Sequence, residues 1–210
     1  MRLDPDLILR AYASGIFPMA QSASSDEILW FEPHWRGVMP LDGFHAARSL
    51  RRSLRRGDWR FSCDAAFADV LDACADREET WINPEIARIF NALHRDGFAH
   101  SIEVWAGDEL AGGLYGLAMG GAFFAESMFS RRTDASKLAL AELVARLRGA
   151  GFSLLDTQYL TPHLASLGGV EISRRDYRQR LGAALEAGAD HALAFAPQNA
   201  EAANGAFWQP

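Results

Sequence analysis

Cysteine is almost missing from this 210-residue chain: Cys63 and Cys74 are its only two, and their spacing fits neither zinc binding nor a redox motif. Both are read as core thiols, and a reduced, cytoplasmic setting is expected. The six histidines are scattered, with no HExxH and no His/Cys pairing, so no metal site is expected. No apolar run approaches a membrane span, and no apolar stretch follows the N-terminal charges, so neither a spanning helix nor a signal peptide is expected. GxGxxG and GxxxxGK[ST] are both absent, which removes the usual dinucleotide and P-loop signals. Ser127, in Ala125-Glu-Ser-Met-Phe129, lacks the flanking glycines of a nucleophile elbow. A positive charge excess is lacking too. The formal net charge of −6 argues against indiscriminate nucleic-acid binding but leaves room for a local basic patch. No internal repeat is visible, and the length fits one domain with a small appendage.

The chain does have an organising stretch, Ala111 to Arg131, which reads as two apolar strands joined by a Gly120-Gly121 turn. Alternation along the second strand puts Phe124, Glu126 and Met128 on one face, and Phe123, Ala125, Ser127 and Phe129 on the other. A carboxylate in so apolar a strand needs a partner. A helix follows, capped by Thr133 or Asp134, with Leu140, Leu143, Val144 and Leu147 at helical spacing. Gly149 and Gly151 stop it, and Phe152 to Tyr159 reads as another strand. Strand, helix, strand is a βαβ unit with parallel strands, so Asp156 and Gln158 are expected to converge with Glu126 over an apolar floor.

Asp4-Pro5 opens a first helix carrying Leu7, Ile8 and Tyr12, and Gly15 closes it. Ile28 to Phe31 is a strand candidate, and Glu32 to Trp35 is expected to turn. Within Phe44 to Arg56, Arg48, Arg51, Arg52 and Arg55 fall on one helical face, opposite Ala47, Leu50 and Leu54, with no acid among them. In an acidic protein, a single-sign ridge of this kind is better explained by a phosphate backbone than by solubility. Trp59 to Cys63 and Ser101 to Trp105 read as strands, and helices follow Ala65, Asn83-Pro84 and Ser173. The tail from Glu186 is weakly patterned.

Antiparallel strands feeding a βαβ unit imply an α+β, acetyltransferase (GNAT)-like mixed sheet with flanking helices. By resemblance, acyl-CoA users of that fold hold pyrophosphate in a glycine-rich turn opening the central helix. Here Ser130 to Lys137 contains no glycine, although an anion could sit at that helix start near Arg131 and Lys137.

These residues together resemble the leucyl/phenylalanyl-tRNA–protein transferase family over almost the whole chain. The likeness is carried by Ser14-Gly-Ile-Phe-Pro18, Ile28-Leu-Trp30, His100-Ser-Ile-Glu-Val-Trp105, Glu126-Ser-Met-Phe-Ser-Arg131, Ala135-Ser-Lys137, Ala165-Ser-Leu-Gly168 and Ile172-Ser-Arg-Arg-Asp-Tyr177. One departure is the short segment before Gly-Ile-Phe-Pro, which in the family is often longer. The resemblance implies a small N-terminal domain, residues 1–32, and an acetyltransferase-like domain, residues 33–210. It implies transfer of leucine or phenylalanine, and also methionine, from aminoacyl-tRNA to an N-terminal arginine or lysine, creating a degradation signal. The implied partners are Leu-tRNA, Phe-tRNA and such acceptor proteins; no cofactor is called for, and a monomer is expected.

Glu126, Asp156 and Gln158 match the family's motif acids and amide, while Trp30, Phe31 and Trp81 match aromatic positions near the aminoacyl end. Leu114, Phe124 and Met128 are candidates for the side-chain pocket, with core packing as the alternative for each. Arg48, Arg51, Arg52, Arg55, Arg131 and Lys137 are candidates for the tRNA backbone. An activated ester needs no covalent enzyme intermediate, so proximity, orientation and charge placement suffice. Asp156 is expected to orient Gln158, whose carbonyl would hold the attacking amine. Glu126 would bind a cationic group, either the acceptor's basic side chain or an α-ammonium. Replacing Asp156 by Asn is expected to slow transfer and leave folding nearly untouched. Two other classes stay open: an acyl-CoA-dependent N-acyltransferase and a non-enzymatic RNA-binding module.

Overall fold

A computed structural model describes residues 3–56 and 58–197. Its elements run α1 (Pro5–Ala13), β1 (Phe17–Ala20), β2 (Ile28–Phe31), β3 (Trp35–Val38), α2 (Arg48–Arg56), β4 (Trp59–Cys63), α3 (Phe67–Ala75) and α4 (Pro84–Arg95). They continue with β5 (Ala99–Ala106), β6 (Glu109–Met119), β7 (Ala122–Ser130), α5 (Ala135–Gly149), β8 (Leu154–Gln158), α6 (Pro162–Ser166), β9 (Val170–Ser173), α7 (Arg174–Glu186) and α8 (His191–Ala194). The weakly patterned tail therefore holds α7's last residue and α8, and its part beyond residue 197 lies outside the described residues.

Among the described residues, seven strands form one mixed sheet in the order β4-β5-β6-β7-β8-β3-β9, and β1 pairs with β2 separately. Every pairing is antiparallel except β7 with β8, the parallel pair that α5 connects. The mixed α+β architecture is therefore established. Asp4 caps α1 by accepting the Leu7 N–H at 2.9 Å, and Asn83 caps α4 by accepting the Ile86 N–H at 2.8 Å, each with proline in the first turn. The hairpin turns at Gly120, whose φ of 54° lies in the left-handed region that glycine enters freely. Asp134 departs from its expected role: it adopts φ 70° and makes no side-chain cap bond to α5.

The helices divide between the two faces of the sheet. Ile8, Tyr12, Phe67, Ile89, Tyr177 and Leu181, from α1, α3, α4 and α7, pack on one face, while Leu50, Leu138, Leu143, Leu164 and Ala194, from α2, α5, α6 and α8, pack on the other. Helix α5 is buried around most of its circumference. It also carries a buried ion pair, Glu142 with Arg146 at 2.8 Å, and Arg146 donates to Ala194 O and Ala196 O, fastening the C-terminal segment.

Three strands were not legible in the sequence. In β1, Pro18 interrupts the run, yet it is tolerated because the strand belongs to a two-stranded ribbon. Trp35, expected to turn, begins β3, which slots between β8 and β9. Both β3 and β9 span four residues, too short for a clear alternation.

Candidate functional site

The site lies where the parallel strands β7 and β8 part. They pair only over Ala122 to Phe124 against Leu154 to Asp156. Beyond that, β7 bulges: Tyr115 pairs with Ser127 and Gly116 with Ala125, which leaves Glu126 without a partner across the ladder. Gly116 permits the close approach, since a Cβ there would collide with the Phe124 carbonyl and the Phe123 ring. Strand β8 ends as abruptly. Gln158 has φ 56°, and the Tyr159 N–H donates to Thr157 O at 2.6 Å, a γ-turn centred on Gln158. Left-handed backbone at a non-glycine residue costs on the order of 1–3 kcal/mol and persists where the surroundings enforce it.

The bulge corrects the expected alternation. Phe124, Ser127 and Phe129 sit on the α3/α4 side, whereas Phe123, Ala125 and Met128 sit on the α5 side. One extra residue in a strand moves everything beyond it to the opposite face. Phe124 and Met128 consequently part company. Phe124 is fully buried, edge-on to Tyr12 at 5.1 Å between ring centroids, and does not line the cleft; it is core. Met128 lines the cleft together with Leu114.

The cleft holds about 290 Å³. Leu114, Ala125, Met128, Leu140 and Leu164, with Phe17, Met19, Trp81 and Tyr159, form its apolar walls. Trp30 and Phe31 do not line it; Phe31 backs the wall by stacking on Phe17 at 5.9 Å. Arg77 braces the bulge by donating to Ser127 Oγ at 2.9 Å and to Met128 O at 3.0 Å. Sequence reading missed Phe17, Met19, Arg77, Leu140, Tyr159 and Leu164 as cleft residues. Phe17 and Met19 flank Pro18 with the period of a strand, a signal obscured by the proline; the others depend on tertiary placement. His163 also lines the cleft, and burial, with Lys137 nearby, lowers its pKa.

Glu126, Asp156 and Gln158 come together as a hydrogen-bonded group. The Gln158 Nε2 amide donates to Glu126 Oε1 at 3.0 Å, and the Tyr12 hydroxyl donates to the same oxygen at 2.7 Å. Burial pushes the Glu126 carboxyl up to about 8, aided by the charge of Asp156, while the Tyr12 and Gln158 hydrogen bonds and Arg36 pull the other way. Burial and the neighbouring Glu126 likewise raise the Tyr12 phenol.

Asp156 is wholly enclosed. Arg36 grips it bidentately, Nε to Oδ1 at 2.9 Å and Nη2 to Oδ2 at 2.6 Å, and the Tyr177 hydroxyl donates to Oδ2 at 2.7 Å. Its link to Gln158 runs through the main chain: the Gln158 N–H donates to Asp156 Oδ1 at 2.9 Å. Arg36 lies between the Phe17 and Tyr177 rings, 4.6 and 4.4 Å from their centroids, and donates to Gly15 O at 3.0 Å. The Gly-Ile-Phe-Pro segment is thereby tied to Asp156.

The cationic candidates fall into two settings. Arg48, Arg51, Arg52 and Arg55 are exposed on α2, with no carboxylate ion-paired to them among the described residues. Arg131 instead lies beside Asp69, Asp72, Asp76 and Asp108, and Lys137 pairs with Asp134 at 2.8 Å. Among the described residues, no group of three or more metal-ligating side chains is placed to hold an ion, and no helix is long and apolar enough to cross a membrane.

An apolar cleft walled by an acid and an amide is suited to seating an apolar acyl group beside an amine. Residues 38–182 match the family model described as leucyl/phenylalanyl-tRNA protein transferase, and residues 1–34 match that described as its N-terminal domain. The chain belongs to the leucyl/phenylalanyl-tRNA–protein transferase family. Among curated relatives, it is 63% identical over 187 residues to the leucyl/phenylalanyl-tRNA–protein transferase of Cereibacter sphaeroides, covering 89% of this chain and 87% of that one. Over 186 residues it is 60% identical to that of a Ruegeria species, covering 89% of each. Among solved structures, L-PGS from Bacillus licheniformis aligns with a TM-score of 0.41 at 14% identity, over 79% of this chain and 56% of that one, a likeness too slight to bear on the reading.

Proposed function

We propose that the β7/β8 cleft carries out aminoacyl transfer. The protein moves leucine or phenylalanine from aminoacyl-tRNA to the α-amine of an N-terminal arginine or lysine. The observation that carries the site assignment is the chain from Tyr12 through Glu126 to Gln158 along one wall of an apolar cleft of about 290 Å³. In this reading Leu114, Met128, Leu140 and Leu164 seat the aminoacyl side chain, and Trp81 and Phe17 border the nucleoside end.

The donor is an ester already activated for attack, so the protein has to supply orientation and charge placement. Gln158 spends its amide N–H on Glu126, which leaves its carbonyl as an acceptor for the attacking amine. Asp156 touches no substrate. It positions Gln158 by fixing the main chain at the γ-turn, with its own charge compensated by Arg36. The α2 arginines take the tRNA backbone without reading bases. The sheet serves as a GNAT-like acyltransfer scaffold over residues 33–210, with residues 1–32 as a small N-terminal domain. The protein acts as a cytoplasmic monomer on Leu-tRNA and Phe-tRNA. Use of acyl-CoA is disfavoured by the approach to α5, where Asp134 stands and no glycine occurs for a pyrophosphate cradle.

The test is transfer of labelled leucine from Leu-tRNA to peptides beginning with Arg, Lys or Ala. RNase-sensitive labelling of the first two is the expected result. Labelling from leucyl-CoA, or none from the tRNA, would overturn the reading.

A further inference from the structure

The two oxygens of Glu126 are not equivalent. Oε1 accepts from both Tyr12 and Gln158, which fills its two lone pairs. Oε2 has no such donor, and Glu126 is only partly buried because it forms part of the cleft wall. Either protonation state keeps Oε1 an acceptor, so the acid's proton resides on Oε2, the oxygen left to the cleft.

A guanidinium binds a carboxylate best through two parallel hydrogen bonds, one to each oxygen. With Oε1 filled, that fork is closed here. A compact ammonium needs one carboxylate oxygen and further single acceptors, and Gln158, whose amide Nε2 donates to Glu126 Oε1, keeps its own carbonyl as such an acceptor. The geometry points to Glu126 Oε2 as the group that receives the acceptor's α-ammonium and takes its proton before attack. This rests on the transfer reading above and narrows it, choosing among the cations that Glu126 could hold.

One N–H proton passes to Oε2, and the nitrogen lone pair forms the C–N bond to the ester carbon while the carbonyl π pair moves to oxygen. Collapse restores C=O and breaks the bond to the ribose oxygen, which takes a second proton from nitrogen. Glu126 then returns its proton to solvent. Titration suits the task, because burial raises the carboxyl to about 8, toward the range of an α-amine at about 7.7–8.0. The groups facing Glu126 are Tyr12 from α1, Arg36 from β3, Tyr115 from β6, and Asp156 and Gln158 from β8, with Arg77 after α3 on the adjoining Ser127. Asp156 and Arg36 compensate each other, so the acid is left without a cation of its own.

The experiment measures kcat/KM for an Arg-initiated peptide with saturating Phe-tRNA, for the wild type and Glu126→Gln, from about pH 7 to about pH 9. The wild type should peak near about pH 8, because acid and amine must share one proton. The variant should rise with the free amine and stay level, so its deficit should shrink about tenfold across the range. The deficit should also persist with a citrulline-initiated peptide and with tRNA charged with phenyllactate. A ratio that does not change with pH overturns the proposal, as does loss of the deficit with either neutral analogue, which would assign Glu126 to the guanidinium or to the donor's own amine. If Glu126→Gln does not fold, the wild-type falling limb above about pH 8 decides, and its absence overturns the proposal. No transfer by the wild type at any pH would instead sink the underlying transfer reading.

Discussion

Two acids stand on neighbouring strands of the same sheet in contrasting surroundings, Asp156 fully buried and Glu126 half-buried at the cleft. Around Asp156 every hydrogen-bonding position is filled from within the protein: two contacts from Arg36, one from Tyr177 and one from the Gln158 main chain. Around Glu126 there are neutral donors only, both on one oxygen, and the other oxygen is left at the cleft. Asp156 is given its own cation inside the protein, whereas Glu126, given only neutral donors, has its pKa raised.

The sharpest way to break the comparison is to take away the internal cation. Arg36→Met leaves Asp156 enclosed and uncompensated, and should cost about 3–5 kcal/mol of stability by denaturant unfolding. A loss below ~1 kcal/mol would show that Asp156 finds water or another partner. Glu126 should behave in the reverse sense. Its folded pKa lies above the ordinary carboxylate value of 4.5, so between that value and about 8 the native state binds more protons than the unfolded state. The wild type should therefore lose stability relative to Glu126→Gln as pH rises through that window, by about 2–4 kcal/mol after allowing for its exposure to the cleft. Parallel stability–pH curves for the two proteins would contradict the raised acid.

The comparison extends to the apolar residues either side of the bulge. Met128→Ala should enlarge the cleft and harm leucine more than phenylalanine, moving the ratio of kcat/KM values by about 10- to 200-fold at most. A lower melting temperature with an unchanged ratio would return Met128 to the core. The smallest effect on stability is expected at the exposed α2 ridge. Replacing Arg48, Arg52 and Arg55 together by alanine should change stability by less than about 0.5 kcal/mol. It should also flatten the slope of log affinity for tRNA against log salt, by up to ~0.7–0.9 per lost phosphate contact. An unchanged slope would place that ridge away from the tRNA.

The hairpin, the βαβ unit and the caps at Asp4 and Asn83 were legible because each is a local pattern: a glycine turn, a strand–helix–strand sequence, an Asx before proline. The arginine face of α2 was legible for the same reason. What sequence could not show was the bulge. Alternation assumes an uninterrupted ladder, and a single unpaired residue at Glu126 moved Met128 to the face opposite Phe124. Arg36 was equally hidden, since it belongs to the four-residue β3 and meets Asp156 across 120 positions of chain. Missing that pair, the sequence reading expected Asp156→Asn to spare the fold; the buried ion pair revises that expectation to a substantial loss of stability.

The most direct test of the contrast is denaturant unfolding of Asp156→Asn and Glu126→Gln side by side at about pH 8, where Glu126 is half ionised. The account predicts that Asp156→Asn loses several kcal/mol, on the order of 3–5, while Glu126→Gln is as stable as the wild type or more so. Equal destabilisation of the two, or an Asp156→Asn protein as stable as the wild type, would contradict it.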